Sequence, residues 1–156
     1  MDNITVRQLR FDFDNADQPC VWSQSSPEFS MFINALGLHV PYFERFLVQV
    51  MRQYRSELTD PALALDVQAL IGQEAHHAFN FLRWNQVLCT RYPALHRLEQ
   101  SAESYFQSAF EARSKQFKIG FTAGYETFTF LGGMIILDRY EELMADADPD
   151  LRALWV

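Results

Sequence analysis

Between residues 61 and 92, apolar side chains recur at alternating steps of four and three: Leu63, Val67, Leu70, Phe81, Trp84 and Leu88. That spacing lays them in one stripe of an α-helix. The run predicts the longest helix of the chain, capped by Asp60, opened by Pro61 and continuing to about Tyr92. Glu74 and His77 fill the two remaining places of the same row. A stripe that faces a core should be dry, and two side chains three residues apart lie side by side on a helix. Burying an acid and an imidazole there without a partner would cost roughly several kcal/mol, so the pair calls for one.

The rest of the chain reads as further helices. Ser26-Pro27-Glu28 is a helix start, with Ser26 as N-cap and Pro27 in the first turn, and the short helix should end near Gly37. Pro41 then opens a second helix to about Leu58, with Phe43, Phe46, Leu47, Val50, Met51 and Tyr54 on one face. Pro93 interrupts the long helix and begins another that ends between Ala112 and Lys115; the next runs from about Phe117 to Leu137. Asp148-Pro149-Asp150 looks like one more start. Residues 1–26 are polar and broken by Asp12, Asp14, Asp17 and Pro19, which predicts an extended arm ahead of a single helical domain over 27–156. There are no repeats, low-complexity tracts or Asn-Gly strand turns, so the fold class is all-α.

The segment from Ile119 to Leu137 carries one charged side chain, Glu126, and is apolar nearly all round. Such a helix belongs in the centre of a bundle or in a membrane. Its four Gly and three Thr, and the absence of a second segment like it, favour the bundle. A net charge of −7 argues against nucleic acid or an anionic membrane as the main partner. Cys20 and Cys89 fit no metal or redox spacing and are expected to be inert thiols in a reducing cytosol. The N-terminus lacks an apolar signal segment.

Glu44 completes a constellation. It follows Pro41 at the edge of an apolar face, so three helices each present an acid toward the core: Glu44, Glu74 with His77, and Glu126. Carboxylate-bridged di-metal bundles use one Glu from each of two helices and a Glu-x-x-His from each of the other two. Both single acids and one Glu-x-x-His are present; a second is absent, because Leu36 and Pro93 stand three residues before His39 and His96. Blander readings compete. Glu44 could answer the helix dipole, and Glu126 could bond Thr122, Thr129 or an Arg. His39 and His96 read as surface residues. Phe79, Phe81, Trp84, Phe117, Phe121, Phe128 and Phe130 read as core rather than a substrate pocket.

At these residues the chain resembles a bacterial family called predicted metal-dependent hydrolases, placed in the ferritin-like superfamily. The matching stretches are Asn34-Ala-Leu-Gly-Leu-His-Val-Pro-Tyr-Phe-Glu44, then Ile71-Gly-Gln-Glu-Ala-His-His77 with Asn85 eight residues on, and Thr122-Ala-Gly-Tyr-Glu126. They are similar to the family's Ser-Leu-x-Phe-Pro-x-Gly-Glu, Gln-Glu-x-x-His and Thr-Ala-x-x-Glu-His. The resemblance spans about Trp22 to Trp155 and implies Glu44, Glu74, His77 and Glu126 as metal ligands. Phe43, Phe81 and Thr127 depart from the family's Gly, second His and His. The family continues into a further helix that bears a second Glu-x-x-His, whereas this sequence stops at Val156. The expected bundle is therefore incomplete at its C-terminus, as a fragment, as a site completed by another chain or as a site that has been lost.

These readings lead to a ferritin-like helical bundle holding iron (Fe2+/Fe3+) or manganese, because carboxylate-rich ligation suits those ions better than structural zinc. The expected activity is oxidation, or hydrolysis by metal-activated water, of a small, partly apolar substrate. A non-catalytic helical interaction domain is the rival. An apolar side left uncovered predicts a homodimer.

Overall fold

The computed structural model describes residues 4–11, 13 and 19–147, and among them every regular element is helical. The two long helices are α1 (Pro27–Arg55) and α2 (Pro61–Arg91), which form the most extensive helix pair. A 3₁₀ turn (Pro93–Leu95) leads into α3 (His96–Ala112), which packs on α1. Helix α4 (Lys115–Asp138) also lies against α1, and the short α5 (Tyr140–Leu143) follows it. The architecture is an all-α bundle. The suggested helix start at Asp148-Pro149-Asp150 falls outside the described residues.

Local chemistry explains most of the boundaries. Asp60 caps α2 by accepting from the backbone N–H groups of Ala62 at 2.8 Å and Leu63 at 3.4 Å. Ser114 caps α4 by accepting from Phe117 N–H at 3.2 Å, which starts that helix two residues before the expected Phe117. Ser26 stands at the N-cap of α1 but makes no capping bond with its side chain.

The expected break between Gly37 and Pro41 does not occur: α1 runs through both. Proline inside a helix removes the donor for the carbonyl four residues earlier, here Gly37. The buried side chain of Asn85, on α2, donates to that carbonyl at 2.9 Å. A donor from another helix therefore replaces the missing backbone bond and lets α1 continue.

The core has two parts. One is aromatic and central, built from Phe43, Phe46, Leu47 and Val50 of α1, Ile71 of α2, and Ala102 and Phe106 of α3. The other closes one end of the molecule, where Trp22, Phe29, Ile33, Trp84, Leu88 and Met144 surround Phe13. Residues 4–11 carry no helix. They are held on α2 by Arg7 N–H to Gln73 at 2.8 Å, Asn80 to the Leu9 carbonyl at 3.1 Å and Arg83 to the Phe11 carbonyl at 3.1 Å.

Helix α4 corrects two expectations. It is not central: its buried residues are only Lys118 and Thr122, while Phe128, Phe130, Leu131, Met134, Ile135 and Leu137 are exposed. Of the aromatic residues assigned to the core, Trp84 is buried and Phe79, Phe117, Phe128 and Phe130 are exposed. Leu63, at the start of the α2 stripe, is exposed as well. Helical period identifies a shared face, but only neighbouring elements decide whether that face is covered. Among the described residues, no helix is long and apolar enough to cross a membrane.

Candidate metal site

Two of the three acids, Glu44 and Glu74, converge with His77, and Glu126 stands farther off. Glu44 is not at a helix start, since α1 is continuous; it sits mid-helix and is 3% exposed. That position removes the dipole-capping explanation, which acts only within the first turn. Glu74 is 9% exposed. His77 Nδ1 lies 3.0 Å from Glu44 Oε1 and 3.8 Å from Glu74 Oε2. Ligand atoms of Glu44, Glu74 and His77 all fall within 4.8 Å of one another. The His77 side chain is 56% exposed, so the α2 stripe is not dry throughout: it opens to solvent at this imidazole.

Glu126 stands outside that trio but close enough for its charge to act on Glu44, and for Glu74 and His77 to act on it. The suggested bond from Thr129 is not made. That hydroxyl donates instead to the backbone carbonyls of Tyr125 at 3.2 Å and Glu126 at 3.1 Å. Thr122 Oγ1 is buried and has no hydrogen-bond partner among the described residues.

The electrostatics describe an excess of negative charge. Burial, and then the charges of Glu74 and Glu126, push the Glu44 carboxyl up to about 7, against the opposing pull of His77. Glu126 is likewise raised to about 7, first by burial and then by Glu74. His77 is raised to about 10 by the carboxylate of Glu44 at its Nδ1 and then by that of Glu74. One imidazolium thus faces three carboxylates, and two of those acids hold their protons unusually well. A divalent cation would relieve this repulsion directly. The fit is also local. Glu44 Oε2 is buried without a hydrogen-bond partner among the described residues, and a buried anionic oxygen requires one. Glu44, Glu74 and His77 can supply a metal's first ligands, with Glu126 at a longer reach.

Two residues at the site's edge were not anticipated. His39 is inside α1 and half-buried rather than a surface turn residue. Its Nδ1 shares a 2.7 Å hydrogen bond with the Tyr125 hydroxyl, and the two rings stack. Burial lowers the His39 pKa. Tyr125 also stacks on Phe43 with ring centroids 3.6 Å apart. Burial, followed by the charges of Glu44 and Glu126, raises its hydroxyl to about 12. The sequence signal was its place beside Glu126, but the partner His39 lies 86 residues away.

No curated protein and no solved structure matches the chain significantly. The sequence profile of one family, described as predicted metal-dependent hydrolase, matches residues 5–156. That span takes in Glu44, Glu74, His77 and Glu126, and the chain belongs to this predicted metal-dependent hydrolase family.

Proposed function

We propose that the protein is a metal-dependent enzyme whose ion is held by Glu44, Glu74, His77 and Glu126. The observation that carries this reading is the buried, unpartnered Oε2 of Glu44 inside a cluster of two carboxylates and one imidazole, with the Glu126 charge acting on it from farther off. All the donors are oxygen or nitrogen, which favours iron or manganese over metals that select thiolate. A bound ion would supply Lewis acidity for hydrolysis or redox capacity for oxidation. The surrounding side chains have separate tasks. Phe43 belongs to the aromatic core and backs the His39–Tyr125 pair, whose Tyr125 hydroxyl feels the Glu44 charge. Phe81 makes edge contact with the exposed His77 ring, 5.7 Å between centroids. That combination suits a small, partly apolar substrate arriving from the His77 side.

The ligand set also supports pairing. One Glu-x-x-His and two single acids are three of the four contributions a di-metal bundle uses, so only a second Glu-x-x-His is wanting. The exposed apolar face of α4, on the helix that bears Glu126, supports a second copy of this chain as the partner. Such a dimer would place a second Glu74 and His77 near the first set. Metal analysis of the purified protein tests the whole reading. About one or two equivalents of iron or manganese are expected, falling to background in Glu74→Ala. Protein that stays metal-free after loading with either ion would instead support a non-catalytic interaction domain.

A further inference from the structure

A second convergence of ligating side chains lies at the other end of α2, built by the turn at Pro93. Helix α2 ends at Arg91, and the 3₁₀ turn from Pro93 to Leu95 reverses the chain directly into α3. The first turn of α3 is thereby laid over the last turn of α2. His96 and Glu99, three residues apart, share one face of α3, and that face meets Cys89. Glu99 Oε2 is 3.8 Å from Cys89 Sγ and 3.6 Å from His96 Nδ1. Ligand atoms of all three lie within 4.8 Å of one another. Cys89 is twelve residues from His77 on the same helix, about 18 Å along its axis, so this cluster is separate from the acid site.

We propose that Cys89, His96 and Glu99 form a second metal site, selective for Zn2+. A tetrahedral zinc ion with bonds of about 2.3 Å to sulfur and about 2.0 Å to nitrogen and oxygen sets ligand separations of about 3.5 Å for S···O and about 3.3 Å for N···O. The observed 3.8 Å and 3.6 Å need to close by only a few tenths of an ångström. One sulfur, one imidazole nitrogen and one carboxylate oxygen is a donor set for zinc rather than for iron or manganese.

Burial is graded in the direction an ion would travel. The His96 side chain is mostly open to solvent, the Glu99 side chain is largely covered, and Cys89 is fully buried. The Tyr42 hydroxyl of α1, whose pKa is raised by burial and then by the nearby Glu99 charge, is placed where a group supporting a metal-bound carboxylate would stand. A nucleophilic role for the cysteine fits less well. Its sulfur bonds the carboxylate rather than the imidazole, and burial followed by the Glu99 charge pushes the thiol up to about 11. On zinc binding the thiol proton leaves to solvent and the sulfur electron pair forms the metal bond. Three protein ligands leave a fourth position for water, and the ion staples α2 to α3 across the break at Pro93.

Cobalt titration of the full chain tests this, because thiolate bound to Co2+ produces a charge-transfer band in the near ultraviolet. The expected result is such a band at about one equivalent, present in wild type and in Glu74→Ala and displaced by Zn2+. It should be absent in Cys89→Ser, with cobalt affinity at least tenfold weaker in His96→Ala. His96 is exposed, so that variant keeps the fold and decides the matter even if Cys89→Ser does not fold. No band in folded wild type, a band surviving in Cys89→Ser, or unchanged cobalt affinity in both His96→Ala and Glu99→Gln would overturn the proposal.

Discussion

Asn85 donates its side-chain amide to the carbonyl of Gly37, the backbone acceptor that Pro41 leaves without its helical donor. This bond links α2 to α1 at the proline, three residues before Glu44, whose carboxylate meets His77 of α2. It leads to a direct stability test. Asn85→Leu should cost about 1–3 kcal/mol, because a buried carbonyl is left unsatisfied. In a Pro41→Ala background the backbone N–H returns, and the cost should shrink by at least about 1 kcal/mol. Urea denaturation of the four proteins measures the coupling. Equal costs in the two backgrounds would show that Asn85 does not compensate for Pro41.

Glu126→Gln should stabilise the metal-free protein at pH 8 while weakening its metal binding. The Glu126 pKa is raised from 4.5 to about 7 in the folded state, so its charged form disfavours folding. The penalty is fully present above pH 7, fades as pH falls toward 4.5, and is absent below it. Because the side chain is only half-buried, a gain of about 0.5–1 kcal/mol is expected at pH 8, and none at pH 4. Denaturation at the two pH values checks the sign. A loss of stability at pH 8 would mean that the carboxylate has a favourable structural partner.

Metal affinity should rise steeply with pH between 6 and 8. Glu44 and Glu126 titrate at about 7, and the metal competes with their protons and with the His77 proton, which is held to about 10. Calorimetric titration with Mn2+ in buffers of different ionisation enthalpy should show proton release on binding. At one hundred times its dissociation constant, the ion should add about 2.7 kcal/mol of stability, and Glu74→Ala should remove that gain. Affinity independent of pH would exclude these residues as the ligands.

The exposed face of α4 predicts association. Phe128, Leu131 and Ile135 lie at helical spacing on one exposed side. Sedimentation at micromolar concentration should show a dimer. Leu131→Glu combined with Ile135→Glu should convert it to a monomer with unchanged helicity. A wild-type monomer under the same conditions would refute the pairing.

What was legible in the sequence was what local periodicity and short-range bonding control. The α2 stripe placed Glu74 and His77 together because three residues nearly complete one helical turn. Asp60 capped its helix as expected because its bonds reach only to Ala62 and Leu63. Tertiary packing decided the rest, through partners far apart in the chain. Pro41 read as a break because its lost donor is visible locally, whereas the substitute, Asn85, stands 48 residues after the Gly37 carbonyl it serves. The apolar α4 segment read as central because composition reports how greasy a helix is; its neighbours leave one face open. His39 read as a surface residue until Tyr125, from α4, met it. The neighbour of Cys89 was not legible either, because only the turn at Pro93 brings Glu99 to its sulfur. Side-chain identity sets which bonds a residue can make, but only the folded path of the chain determines which distant groups come within reach to make them.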